Sequence, residues 1–235
     1  MSYTKSNARV VFESFTTQLM SLATSTNKIN AAFFSYGHKN LVYQSIFVSL
    51  CSAIEEYHKT IIEDWFYQLK ASNVPMAKIH DNTRLFCLLF GTEQDFKNFL
   101  FDRDNEKKTI EKLVLKKSIL KKCIDDNEHF DMDWLARNVW SNKKYPSTKN
   151  ITTLYNRLGI SNIFEELKKL KHKDYKMQLD SLLSIRESIA HVGAGAVTFY
   201  DVKKHVNFVK EFVYLLDKEL YKHCCRVAGS AYWPK

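Results

Sequence analysis

Glycine and proline are scarce in this chain, six and three among 235 residues, where the pair together usually makes up roughly 12% of a globular protein. Sandwiches, barrels and doubly wound sheets need many tight turns, so this scarcity argues against all three and against a glycine-rich dinucleotide fold. Long apolar runs are also missing. The most apolar short stretch, Leu85-Phe86-Cys87-Leu88-Leu89-Phe90, falls far below the ~18 residues that a membrane span needs. The residues from Met1 to Asn7 hold no apolar core of signal-peptide length, so a cytoplasmic chain without a membrane partner is expected. Metal patterns are lacking as well. There is no Cys-x-x-Cys pair, and the eight histidines show no His-Glu-x-x-His spacing, so neither a metal nor another cofactor is expected. Cysteines number five, with Cys51, Cys87 and Cys123 standing singly and Cys224 and Cys225 adjacent. They read as reduced thiols that behave as small hydrophobes.

What is present points to helices. Hydrophobic residues make up 45% and aromatics 14% of the chain, enough to exclude global disorder. From Leu41 to Leu69 the apolar positions Tyr43, Ile46, Phe47, Leu50, Ile54, Tyr57, Ile61, Trp65 and Leu69 recur in steps of three and four, the stripe of one long helix. The same rhythm runs through Val202, Val206, Val209, Val213, Leu216 and Leu220, where Thr198 and Asp201 have the spacing of a capping box. A third strong helix is predicted from Asp174 to Ala190, closed by Gly193 and Gly195. Shorter helices are predicted at Val10–Leu22, Thr83–Phe90, Glu93–Phe101, Thr109–Ile124, Ile151–Leu158 (with Gly159 as its C-cap) and Ile163–Leu170. The stretch Asp125–Lys149 reads as a loop-rich insertion around a short Trp134–Trp140 segment. The expectation is one all-α domain over residues 1–235, a bundle of long antiparallel helices.

The most informative stretch is Leu182-Leu183-Ser184-Ile185-Arg186-Glu187-Ser188-Ile189-Ala190-His191. It sets an arginine and a histidine at the polar end of an otherwise apolar helix. Five residues separate them, so they stand about 140° apart around the axis. Glu187, four residues before His191, shares its face and is placed to orient the imidazole. An arginine and a histidine at a helix end are also an ordinary complement to the helix dipole.

The pattern Ile-Arg-x-x-Ile-Ala-His resembles the signature of HEPN domains, small helical-bundle ribonucleases of defence and toxin systems. The closer likeness is to the RiboL-PSP-HEPN branch. It rests on Ser49-Leu50-Cys51-Ser52-Ala53-Ile54-Glu55-Glu56-Tyr57, on Leu154-Tyr155-Asn156-Arg157-Leu158-Gly159-Ile160, and on the long helix after the motif, and it spans roughly Lys39 to Leu220. The resemblance implies a metal-independent endoribonuclease. In that chemistry the ribose 2′-hydroxyl attacks the adjacent phosphate and leaves a 2′,3′-cyclic phosphate and a 5′-hydroxyl. An imidazole exchanges protons near neutral pH, and a guanidinium matches the phosphate oxygens on which charge grows. One motif supplies one histidine, so the resemblance implies a homodimer whose two motifs share a cleft, with a regulatory, antitoxin or sensor protein as further partner. The motif departs from the pattern at Glu187, where active members commonly carry Asn, Asp or His. It departs again at Gly193, where members silenced by nucleotidyl transfer carry a tyrosine, so a nucleotidyltransferase partner is not implied.

Arg186, His191, Glu187 and Glu55 are therefore the candidate catalytic residues, Glu55 either orienting Arg186 or serving as a structural ion-pair partner. The net charge is +9, from 35 Lys and Arg against 26 Asp and Glu, which favours a polyanionic partner. One lysine run lies at Lys107, Lys108, Lys112, Lys116, Lys117, Lys121 and Lys122. A second, at Lys168, Lys169, Lys171, Lys173 and Lys176, immediately precedes the motif helix. The second run is the candidate RNA-binding set, and its alternative is a solvated helix face. Two competing readings of the whole chain are a catalytically inactive HEPN module that binds RNA or a partner protein, and a helical adaptor with a basic face.

Overall fold

The computed structural model describes residues 2–30, 32, 34–101, 106–191 and 195–235, with the backbone alone at 119. Among them are ten α-helices and no strand. These are α1 (Asn7–Lys28), α2 (Tyr36–Ala71), α3 (Asp81–Phe101), α4 (Glu106–Leu115), α5 (Lys117–Ile124), α6 (Met132–Trp140), α7 (Thr148–Arg157), α8 (Ile163–Lys171), α9 (Tyr175–His191) and α10 (Phe199–Val227). One turn of 3₁₀ helix precedes α3 (Met76–Lys78) and another follows α10 (Ser230–Tyr232).

The 36-residue α2 is the spine, about 54 Å long at the α-helical rise. Its predicted stripe is buried throughout, from Tyr43 to Leu69. α10 runs parallel to it, with Phe47 beside His205 and the Tyr57 hydroxyl bonded to Asp217. α1 and α9 run antiparallel to the spine: Phe12 meets the ring of Tyr57, and the amide of Val197, just beyond α9, donates to Asn40 at 2.7 Å. α10 begins at the predicted capping box, where the Asp201 amide donates to the Thr198 hydroxyl at 3.2 Å and the Thr198 amide to Asp201 at 3.0 Å. The buried carboxylate of Asp217 accepts from the hydroxyls of Tyr3 (2.5 Å), Tyr57 (3.1 Å) and Ser6, and from the Ser6 amide (3.3 Å). These bonds join the N-terminal segment, α2 and α10.

Three predicted boundaries change. Thr83–Phe90 and Glu93–Phe101 are one helix, α3, because a single internal glycine, Gly91, weakens a helix without ending it. The predicted helix Thr109–Ile124 is instead α4 and α5, divided at Lys116, whose ammonium reaches across to Asp95 (2.5 Å) and the Gly91 carbonyl (2.9 Å). The Asp125–Lys149 stretch has loops at both ends, but its helix α6 is part of the core. Asp131 caps α6, and Met132, Leu135, Val139 and Trp140 are buried. The loop ahead of α6 also bonds to the first 3₁₀ turn, through the amides of Met76 and Ala77 to the carbonyls of Glu128 and Asp126. Gly159 closes α7 as predicted, at φ +98°, with the His80 ring where a Cβ would stand. The predicted stop at Gly193 lies outside the described residues.

Candidate active site

α9 buries Tyr175, Leu179, Leu182 and Leu183. Arg186 continues that inward face one turn on, where the bundle opens, and it is half-buried. Its guanidinium carbon sits 5.5 Å from the centre of the Tyr145 ring, a cation–π contact. The same guanidinium pulls downward on the Cys51 thiol of α2, which burial pushes up to about 11. No described carboxylate forms an ion pair with Arg186, so no described residue neutralises its charge.

Glu187 is exposed, and its Oε1 accepts from the Tyr145 hydroxyl at 3.2 Å. Burial first, and then the Glu187 carboxylate, raise the Tyr145 phenol above its ordinary range. Glu187 therefore leans toward the loop ahead of α7 and makes no hydrogen bond or ion pair with His191, contrary to the expectation that it orients the imidazole. His191 ends α9, is exposed, and makes no hydrogen bond with any described residue. Arg186 and His191 are about 7.5 Å apart along the axis and about 140° apart around it. One chain thus presents them on two different faces.

On the flank of α9 opposite Tyr145 is a cleft of about 280 Å³ lined by Ser184, Ser188, Phe47, Val197 and Asp201. Ser184, Ser188 and His191 lie in one row along the helix.

Glu55 is half-buried on α2 and makes neither of its two expected contacts. It forms no hydrogen bond or ion pair with Arg186 or with any other described residue. Tyr145 is the residue that meets Arg186 instead.

The second lysine run divides. Lys169 pairs with Glu166 at 2.7 Å and Lys173 with Glu211 at 2.8 Å. Lys168, Lys171 and Lys176 are exposed and form no ion pair with a described residue. All of them cluster at the N-terminal end of α9. Fifteen residues of helix separate Lys176 from His191, about 22 Å, so the run does not border the imidazole. Among the described residues no group of three or more His, Cys, Asp or Glu side chains is placed to hold a metal ion, and no helix is long and apolar enough to cross a membrane.

Sequence reasoning did not single out Tyr145, which stands among loop residues with nothing to mark it as a neighbour of the motif. Ser184 and Ser188 were legible in principle, since their spacing from His191 places all three on one helix face.

A protein-family model described as RiboL-PSP-HEPN matches residues 17–222. Neither the curated proteins nor the solved structures offer a match.

Proposed function

This chain belongs to the RiboL-PSP-HEPN family, and from that premise we propose that it is a metal-independent endoribonuclease acting as a homodimer. The family supports an RNA-related, nuclease-type role. The observation that carries the finer reading is the state of the two motif side chains. Arg186, beside Tyr145, carries a charge that no described residue neutralises, and His191 is free of any described partner at the end of α9.

In this reading the imidazole of one His191 takes the proton of a ribose 2′-hydroxyl. The 2′-oxygen then forms a bond to phosphorus while the bond from phosphorus to the 5′-oxygen breaks. The imidazolium of the second His191 protonates that leaving oxygen. Guanidinium groups from Arg186 stabilise the charge that grows on the non-bridging oxygens. The divergence of Arg186 and His191 within one chain favours a two-fold dimer, since a second motif facing the first supplies both groups to one phosphate. The serine-lined cleft beside α9 offers hydroxyls to the neighbouring nucleotide, and a toxin or antiviral-defence role with a regulatory partner follows the family.

A second reading, an inactive module that binds RNA or a partner, is favoured by one feature. Lys176 lies about 22 Å along α9 from His191, so binding and cleavage need not coincide. The test incubates the purified chain with RNA in EDTA and reads the product ends. The nuclease reading expects cyclic phosphates, and loss of cleavage in both Arg186→Ala and His191→Ala. A wild-type chain that binds RNA and leaves it intact supports the inactive module.

A further inference from the structure

Away from the motif, α3, α5 and the start of α6 enclose a cavity of about 320 Å³, the size of a small-ligand pocket. Two of its lining residues are aromatic: Trp134, in the first turn of α6, and Phe130, just ahead of that helix. Their ring centres are 5.5 Å apart and their planes stand at 76°. Rings set that way make a corner, in which a planar ligand lies on one ring with its edge toward the other. Cys87, Leu88 and Leu120 supply apolar wall.

Gly91, in the interior of α3, also lines the cavity. Glycine weakens a helix interior relative to alanine, and the fold does not ask for it here. The backbone is not in the positive-φ region, and a Cβ added there would meet no described atom within 4 Å beyond its own stretch of helix. Cys87, Leu88 and Thr92, on the same wall, span about 140° around α3, and Gly91 falls inside that arc. A side chain at this position would stand in the cavity. The glycine keeps it open.

Three lining residues carry polar groups that are unspent among the described residues. Asp131 gives Oδ1 to the amides of Asp133 (3.0 Å) and Trp134 (3.1 Å), and its Oδ2 accepts from none of them. The Trp134 indole N–H donates to none. Lys122 forms no ion pair, unlike Lys116, whose ammonium is held by Asp95 and the Gly91 carbonyl. A ligand that answers all three has an anionic group and a flat ring whose edge sets an N–H donor beside an acceptor. A nucleobase has that edge, and its phosphate is the anion. An aromatic amino acid would bring its ammonium to Asp131 and its carboxylate to Lys122, and a phenyl or indole ring would then offer the Trp134 N–H no acceptor. We propose that this cavity binds one nucleotide, with its base in the Trp134–Phe130 corner, its base edge toward Asp131 and the indole, and its phosphate on Lys122. The chemistry is the same for a free nucleotide and for one residue of an RNA strand. The site shares no residue with the motif on α9, so the proposal does not rest on RNA cleavage.

Calorimetric titration of the full chain tests it, with adenosine and cytidine monophosphates, the matching nucleosides, and a tetranucleotide of 2′-O-methyl sugars that 2′-hydroxyl attack cannot cleave. The monophosphates should bind one per chain, and the nucleosides about tenfold more weakly, as loss of a charge-assisted contact predicts. Lys122→Ala should erase that difference. Gly91→Leu, which fills the cavity with a better helix former, should abolish binding while circular dichroism shows the fold and the melting temperature kept or raised. Asp131→Asn, which retains a helix N-cap, should weaken binding about tenfold by replacing a charged acceptor with an amide. Monophosphates that bind alone assign the site to free nucleotides. A tetranucleotide that binds where they do not, and is lost in Gly91→Leu, assigns it to a residue of a strand. A folded Gly91→Leu chain that binds as tightly as the wild type would overturn the proposal. So would tryptophan or tyrosine binding in place of any nucleotide, or no binding of any nucleotide at millimolar concentration.

Discussion

Tyr145 donates to Glu187 across 42 residues of chain, at 3.2 Å, and in doing so joins the loop ahead of α7 to the motif helix. The same ring lies against the Arg186 guanidinium. One side chain therefore bears on both neighbouring residues of the motif.

The two contacts can be separated. Tyr145→Phe keeps the ring and frees Glu187, whereas Tyr145→Ala removes both. If the chain cleaves RNA, Tyr145→Phe should change kcat only a few-fold. Tyr145→Ala should lower kcat about tenfold or more, since a cation–π contact of about 1 kcal/mol and the positioning of the guanidinium go together. Steady-state kinetics on a short RNA checks this, and equal effects of the two variants would refute the division of roles. If the chain cleaves RNA, Glu187→Asn, which removes a negative charge from the motif, should lower KM in the same assay.

The free lysines at the start of α9 and just before it, Lys168, Lys171 and Lys176, predict a measurable salt effect. Each lysine neutralising a phosphate of single-stranded RNA contributes about 0.7 to the slope of log K against log salt. Replacing Lys168, Lys171 and Lys176 together by alanine should therefore flatten the slope by about 2. Binding titrations at several salt concentrations measure it. An unchanged slope would return these residues to an ordinary solvated face.

Asp217 predicts a large loss of stability. Asp217→Ala leaves the hydroxyls of Tyr3, Ser6 and Tyr57 without their acceptor in a buried site, at a cost of about 3 kcal/mol. Urea unfolding reads the total. Hydrogen exchange should show α1 loosening first, because the carboxylate ties the segment before α1 to α10.

Acid should destabilise the fold through His58 and His223. Burial pushes both imidazoles down to about 4. Each stays neutral in the folded chain while the unfolded chain takes up a proton below about 6.5. The stability they contribute is complete above pH 6.5 and is lost as pH falls toward 4, on the order of 3 kcal/mol for each histidine. Urea midpoints between pH 7 and pH 4.5 should fall accordingly. His58→Phe, which keeps a ring against Trp140, should make that fall shallower even where it lowers stability at pH 7.

Much of the architecture was legible because periodicity and capping are local. The stripe from Tyr43 to Leu69, the Thr198–Asp201 box and Gly159 each depend on residues a turn or two away, and each stands where it was expected. Boundaries failed where the local signal was weak: Gly91 sits inside α3 without ending it, and the helix predicted over 109–124 divides at Lys116 with no glycine or proline to mark it. At the site, spacing alone placed Arg186 and His191 on one helix and about 140° apart. It could not say that Glu187 would be taken by Tyr145, that Glu55 would find no partner, or that the second lysine run would sit at the far end of α9.

The sequence by itself determined an all-helical chain, the motif helix and the family, because hydrophobic period, scarce turn formers and a short residue pattern are properties of neighbouring positions. Only the tertiary structure decided which groups meet: the phenol that holds Arg186 and Glu187, the buried carboxylate that anchors the N-terminal segment, and the aromatic cavity that closes around Gly91. Those contacts join residues tens to hundreds of positions apart, and their energies exist only once packing has brought the elements together.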